Sequence, residues 1–162
     1  VFFEHLDHLL GIDAALKFGA EIKNFKKGNI VVGMSPQAFL PVPACEAAFA
    51  LAKKFDREIK ENEVSVSIVF PETIENAFGG AEIHRELQRA FNRNNIFVTT
   101  EFPIREISES ELISVEGRSF SYDLLMLLPS FRGHSFLNNL GVSDEFDFII
   151  ADELMRVPHL PG

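Results

Sequence analysis

Gly28-Asn29-Ile30-Val31-Val32-Gly33 is the stretch on which the fold turns. Three β-branched residues in a row, without polar alternation, predict a strand buried on both faces, as in parallel sheets. Upstream, His8 to Phe25 has helical spacing, with Leu9, Ile12, Leu16, Ala20 and Ile22 apolar. Gly28-Asn29 stops that helix. Downstream, Met34 to Pro43 is a loop holding Pro36, Pro41 and Pro43, and Ala44 to Lys60 is a helix with a Phe49, Leu51, Ala52, Phe55 and Ile59 stripe. Val64 to Phe70 is the next strand, closed by Pro71-Glu72. Gly79-Gly80 precedes a helix over Ala81 to Asn94, and Ile96 to Thr100 is a third strand.

This order is β-α-β-α-β, the unit of a parallel, doubly wound sheet. Ile104 to Ile107, Leu112 to Val115 and Ser119 to Tyr122 then alternate between turns and predict an antiparallel meander. Leu124 to Leu128 is the most apolar run and is expected as a central strand; Phe148 to Ala151 is expected as a last short one. The fold class is therefore α/β: a Rossmann-like three-layer domain with a parallel sheet and a small antiparallel β-meander crossover.

Composition narrows the function. The 162 residues read as one domain, 1–162, and 46 % hydrophobic content is enough for a core. The aromatic complement is 17 Phe, one Tyr and no Trp, an apolar filler set. Net charge is -9, with only short clusters at Lys23, Lys26 and Lys27 and at Lys53 and Lys54, which argues against nucleic acid and an anionic membrane surface. The single cysteine, Cys45, excludes an internal disulfide and a Cys-based metal site, and fits a reducing cytoplasm. No run approaches a membrane span, and there is no signal-peptide layout.

Several pieces, in order, resemble sulfide:quinone reductases and flavocytochrome c sulfide dehydrogenases. Gly28 to Gly33, the proline loop and Glu46-Ala47-Ala48-Phe49-Ala50-Leu51 are similar to the start of their nucleotide domain. Val66 to Glu72 resembles their second strand, and Tyr122 to Gly133 the strand and proline turn that return toward the flavin. Ile149-Ile150-Ala151-Asp152 and Val157 to Gly162 look like the segment before their second flavin-binding motif. A meander after βαβαβ is their usual crossover, shared more distantly with NADH dehydrogenases and disulfide reductases. The resemblance implies the central, NAD-type domain of an FAD-dependent pyridine nucleotide-disulfide oxidoreductase, excised from a larger flavoprotein. Its FAD would be bound by flanking segments, its acceptor would be a quinone, and its electrons would come from sulfide or NADH. On this reading the fragment alone is inactive and its parent is cytoplasmic, peripheral to the membrane. The competing reading is a stand-alone Rossmann-like binding or interaction module without redox activity.

Two departures stand out. With Glu46 as anchor, Pro43 falls on the family's proline, but Leu40 occupies the place of its redox cysteine and Cys45 that of an aromatic. The Gly-x-Gly-x-x-Gly fingerprint is missing after the first strand, where Gly33 alone survives in Gly33-Met34-Ser35-Pro36. Prolines there remove N–H donors, so NAD(H) binding is expected to be weak.

Candidate cofactor-binding residues are Gly33, Ser35, Glu46, Glu72 and Pro129; no catalytic residue and no metal site is assigned. Glu46, expected in the first helical turn, either faces the flavin, as the resemblance implies, or complements the helix dipole. Glu72 is placed for a ribose diol or is a solvated loop acid. Cys45 reads as a structural thiol, because its neighbours offer no cation. Gly79-Gly80 is a tight turn or a phosphate cradle, and Arg132 contacts a phosphate or a domain interface. His5, Asp7 and His8 read as an incidental cluster, His84 and His134 match no spacing, and no nucleophile elbow exists. The partner expected is a flanking FAD domain; without it, exposed Phe39, Leu40 and Phe131 would drive self-association.

Overall fold

The computed structural model describes residues 12–36, 38 and 40–157, without the side chains of 138 and 139. Two compact units divide the chain after Pro129.

The first unit is built on a four-stranded parallel sheet of β1 (Gly28–Met34), β2 (Val64–Val69), β3 (Ile96–Thr99) and β7 (Leu124–Leu128), ordered β3-β2-β1-β7. The meander of β4 (Ile104–Ile107), β5 (Glu111–Ser114) and β6 (Ser119–Ser121) is a separate antiparallel sheet. Side chains alternate along a strand, so each strand of a covered sheet serves two interfaces. Val31, Val69, Leu125 and Leu127 pack with Phe102, Ile104, Leu112 and Tyr122 of the meander layer. The opposite face meets α2 (Val42–Lys54) and α5 (His84–Arg93), where Phe91 stacks on Phe49 at 5.1 Å and tilts against Phe70 at 6.3 Å. The expected α/β, three-layer, Rossmann-like architecture is present.

Several element readings need correction. β7 lies at the sheet's edge among the described strands, not in its middle. Its five residues are nonetheless buried, because the meander covers one face and α2 meets it on the other. An apolar run reports covered faces, and β7 is covered without being central. The helix expected over 44–60 is broken at Phe55, which separates α2 from α3 (Asp56–Lys60) and turns its ring edge-on to Phe25 at 5.9 Å. A short α4 (Ile74–Ala77), capped by the Thr73 hydroxyl accepting from the Asn76 N–H, precedes Gly79-Gly80. Those glycines take φ of 64° and 80°, and their N–H groups close α4 onto Asn76 and Glu75, so they form the tight turn. Helix α5 consequently starts at His84 rather than Ala81. The helix expected from His8 is seen as α1 (Ile12–Asn24); His8 itself is outside the described residues.

In the second unit no strand forms over Phe148 to Ala151. Ile149 and Ser143 form an isolated antiparallel bridge, in which Ile150 N–H donates to Val142 O and Asp144 N–H to Phe148 O. Two bonds do not make a ladder, and apolar residues alone do not supply a pairing partner.

Gly28 is fixed by the entry of β1. Its φ is 122°, and an added Cβ would stand 2.5 Å from Asp123 Oδ2, the atom that accepts the Asn29 N–H at 2.7 Å. Gly28→Ala is expected to cost about 2–4 kcal/mol, through backbone strain and loss of that charged hydrogen bond. Urea unfolding measures it; a loss below about 0.5 kcal/mol would mean that β1 begins differently.

Candidate functional site

All four strands of the main sheet run parallel, so their C-terminal ends share one edge, where open α/β sheets bind ligands. The chain goes from β1 to β2 on one side and returns to β7 on the other, which puts the switch point between β1 and β7. Ser35 and Pro129 directly follow these two strands, and Glu72 follows β2.

At the switch point the described backbone is tied to the neighbouring strand. Ser35 is buried; its N–H donates to Leu128 O at 3.0 Å and its carbonyl accepts the Ala38 N–H at 3.0 Å. The β1–β7 ladder thus runs one residue past β1, where a nucleotide-binding crevice would open. Gly33 is buried too: an added Cβ would meet Leu127 and Ile104 side chains at 3.1 and 3.4 Å. Its missing side chain makes room for the meander. Pro36, Pro41 and Pro43 carry no N–H, and Cys45 N–H is taken by Pro41 O. The start of α2 is correspondingly poor in donors for an anion.

Two small cavities flank this point. One, about 180 Å³, lies between Ser35, Pro36, Leu127 and strand β4, where Arg105 and Glu106 line it. The other, about 270 Å³, is lined by Met34, Pro36, Pro71, Glu72, Asn76 and Gly79. Ser35 and Glu72 therefore each border a cavity beside Pro36, though not the same one. Glu46 and Pro129 line neither, and Glu46 is exposed. Helix α2 begins at Val42, which puts Glu46 beyond the first turn, so the expected first-turn position is corrected. The Arg105, Glu106 and Asn76 contributions were not anticipated. Arg105 and Glu106 belong to a meander read only for its alternation, and Asn76 lies on the unforeseen α4.

A larger cleft of about 720 Å³ sits at the opposite, N-terminal edge of the sheet. Among its polar residues, Asn29 receives Ser65 Oγ–H at 2.7 Å and donates to Ser121 O and Asp123 Oδ2. These bonds stitch β1, β2 and the start of β7 together, which is a structural task.

Cys45 is buried on α2, and burial pushes its thiol up to about 12, with the charge of Glu46 adding and a backbone hydrogen bond partly opposing. It is a structural thiol. Arg132 donates from Nη2 to Glu145 O at 3.1 Å and lies 3.9 Å from Asp147, both within the second unit. Asp152, in the same unit, has its carboxyl held low by backbone and side-chain hydrogen bonds from Arg156. Leu40 is exposed and Phe131 half-buried; Phe39, His5, Asp7 and His8 fall outside the described residues. Among the described residues no three His, Cys, Asp or Glu side chains are grouped to hold a metal, and no helix is long and apolar enough to cross a membrane.

No family model matches the chain. Among solved structures, it is similar to the sulfide:quinone oxidoreductase of Aquifex aeolicus, at TM-score 0.81 and 19 % identity over 96 % of this chain and 39 % of that one. An NAD-dependent persulfide reductase from A. fulgidus gives TM-score 0.64 and 16 % identity over 95 % of this chain and 27 % of its own. NDH2 from Plasmodium falciparum, in complex with NADH, gives 0.61 and 17 % over 89 % and 34 %. The chain shares the fold of a part of each of these three proteins, in line with the sequence resemblance. The chain spans between 27 % and 39 % of the length of these three structures.

Proposed function

We propose that this chain is the central, NAD-type domain, 1–162, of an FAD-dependent oxidoreductase that moves electrons from sulfide or NADH to a quinone. The observation that carries the reading is the superposition on sulfide:quinone oxidoreductase at TM-score 0.81, against 0.61 for the NADH-complexed NDH2. FAD supplies the two-electron chemistry in such an enzyme, and the protein positions it. Glu46 and Pro129 would border the flavin, which a flanking FAD domain would hold. Gly33, Ser35 and Glu72 would lie at a second nucleotide site. They do not fit a dinucleotide pyrophosphate, because Gly33 is under the meander and the Ser35 N–H is engaged. That favours weak NAD(H) binding. Cys45, buried and protonated, does not serve as the sulfide-attacking thiolate. The parent enzyme would work on the cytoplasmic side, peripheral to the membrane that holds its quinone.

The 162-residue chain is expected to be colourless after desalting and inactive. The test uses the polypeptide as its gene encodes it, purified with its cofactor. Its visible flavin absorbance should bleach anaerobically with sulfide or NADH and return with a soluble quinone. Flavin that responds to neither donor contradicts the reading. A full-length protein without flavin supports the second reading, a binding or interaction module, which the hydrogen bond at the switch point favours.

A further inference from the structure

Helix α1 carries two apolar faces. Phe18 turns into the protein and is buried, and with Ala15, Gly19 and Ile22 it borders an apolar groove against α2. At 100° per residue, Ile12, Leu16, Ala20 and Lys23 fall on the opposite side, with Gly19 at the border between the two faces. Ile12 is 79 % and Leu16 67 % exposed. A helix with one packed face needs no second apolar stripe, and this one costs solubility unless something covers it.

The charges of α1 specify what covers it. Asp13 lies in the first turn and Lys23 in the last, while Lys17 and Glu21 are bridged to each other at 3.6 Å within the helix. A pattern acidic at one end and basic at the other complements itself when reversed. We propose that α1 docks on α1 of a second copy through its Ile12 and Leu16 face, antiparallel about a two-fold axis at the level of Phe18 along the helix. In that register Asp13 lies opposite Lys23 of the second copy and Lys23 opposite Asp13 of the second copy. Leu16 lies level with Ala20 of the second copy and beside its Gly19, where even an added Cβ would meet nothing within 4 Å. The arrangement is isologous, so each contact occurs twice and the assembly closes as a dimer. One helix face per copy is small against the roughly 1,600 Å² of a standard interface, so the dimer is weak, with Kd on the order of tens to hundreds of micromolar.

Sedimentation equilibrium of the 162-residue chain over a concentration series tests this, with circular dichroism confirming the fold of each variant. Leu16→Glu, at an exposed position, should abolish the dimer. Asp13→Lys and Lys23→Asp should each weaken it about 3–10-fold, since each sets two like-charge pairs face to face. The double variant D13K/K23D should return within about twofold of the original, although reversed charges suit the helix dipole less well. A strict monomer throughout, dimerisation that survives Leu16→Glu, or charge variants whose effects add without recovery would each overturn the proposal.

Discussion

Cys45 in the folded protein reacts with a water-soluble disulfide reagent on the order of a thousandfold more slowly than an ordinary cysteine, and at the ordinary rate in denaturant. The thiolate is the reacting species, and a thiol pushed from 9.0 to about 12 is almost wholly protonated at neutral pH. Burial compounds the effect by blocking approach. The same shift fixes a pH dependence. The folded pKa lies above the unfolded one, so the stabilising contribution is complete below about 9 and is lost as pH rises toward 12. Cys45→Ala should flatten that alkaline loss. Rapid labelling of the native protein would return Cys45 to consideration as a redox thiol.

Phe91→Ala loses about 3–5 kcal/mol, the largest stability effect expected from any single truncation of the helix layer. Phe91 is 0 % exposed and joins α5 to both Phe49 of α2 and Phe70 at the end of β2. Truncation leaves a void between elements that cannot all close on it. The melting temperature should fall by about 10 °C. Phe97→Ser, one strand away but 64 % exposed, should change stability by less than about 0.5 kcal/mol. Equal losses at the two positions would mean that the helix layer is not packed as described.

The pair shows what a sequence conveys and what it withholds. Strands β1, β2, β3 and β7 were legible because covered faces demand apolar runs, and the meander because alternation and turn residues recur. The edge position of β7 was not, since both of its faces are covered whatever its place in the sheet. Phe55 fits a helical stripe by spacing, yet its contact with Phe25 bends the chain there. At the candidate site, the parallel sheet brings Ser35, Glu72 and Pro129 to one edge, as the strand order implied. The extension of the β1–β7 ladder at that edge is one backbone bond, Ser35 to Leu128, between residues 93 apart in sequence. No side-chain pattern encodes it. Gly33 shows the same limit: a glycine at a strand end reads as phosphate access, while here it admits Leu127 and Ile104.

Calorimetric titration of the chain with NADH is the most direct measurement of whether this domain has the nucleotide fold without an open nucleotide site. With Ser35 N–H engaged and three prolines in the loop, the expected dissociation constant is roughly millimolar, about -4 kcal/mol. It should be insensitive to Glu72→Ala. A micromolar constant that Glu72→Ala weakens by about 1–3 kcal/mol, through loss of a charged hydrogen bond to the ribose, would contradict it.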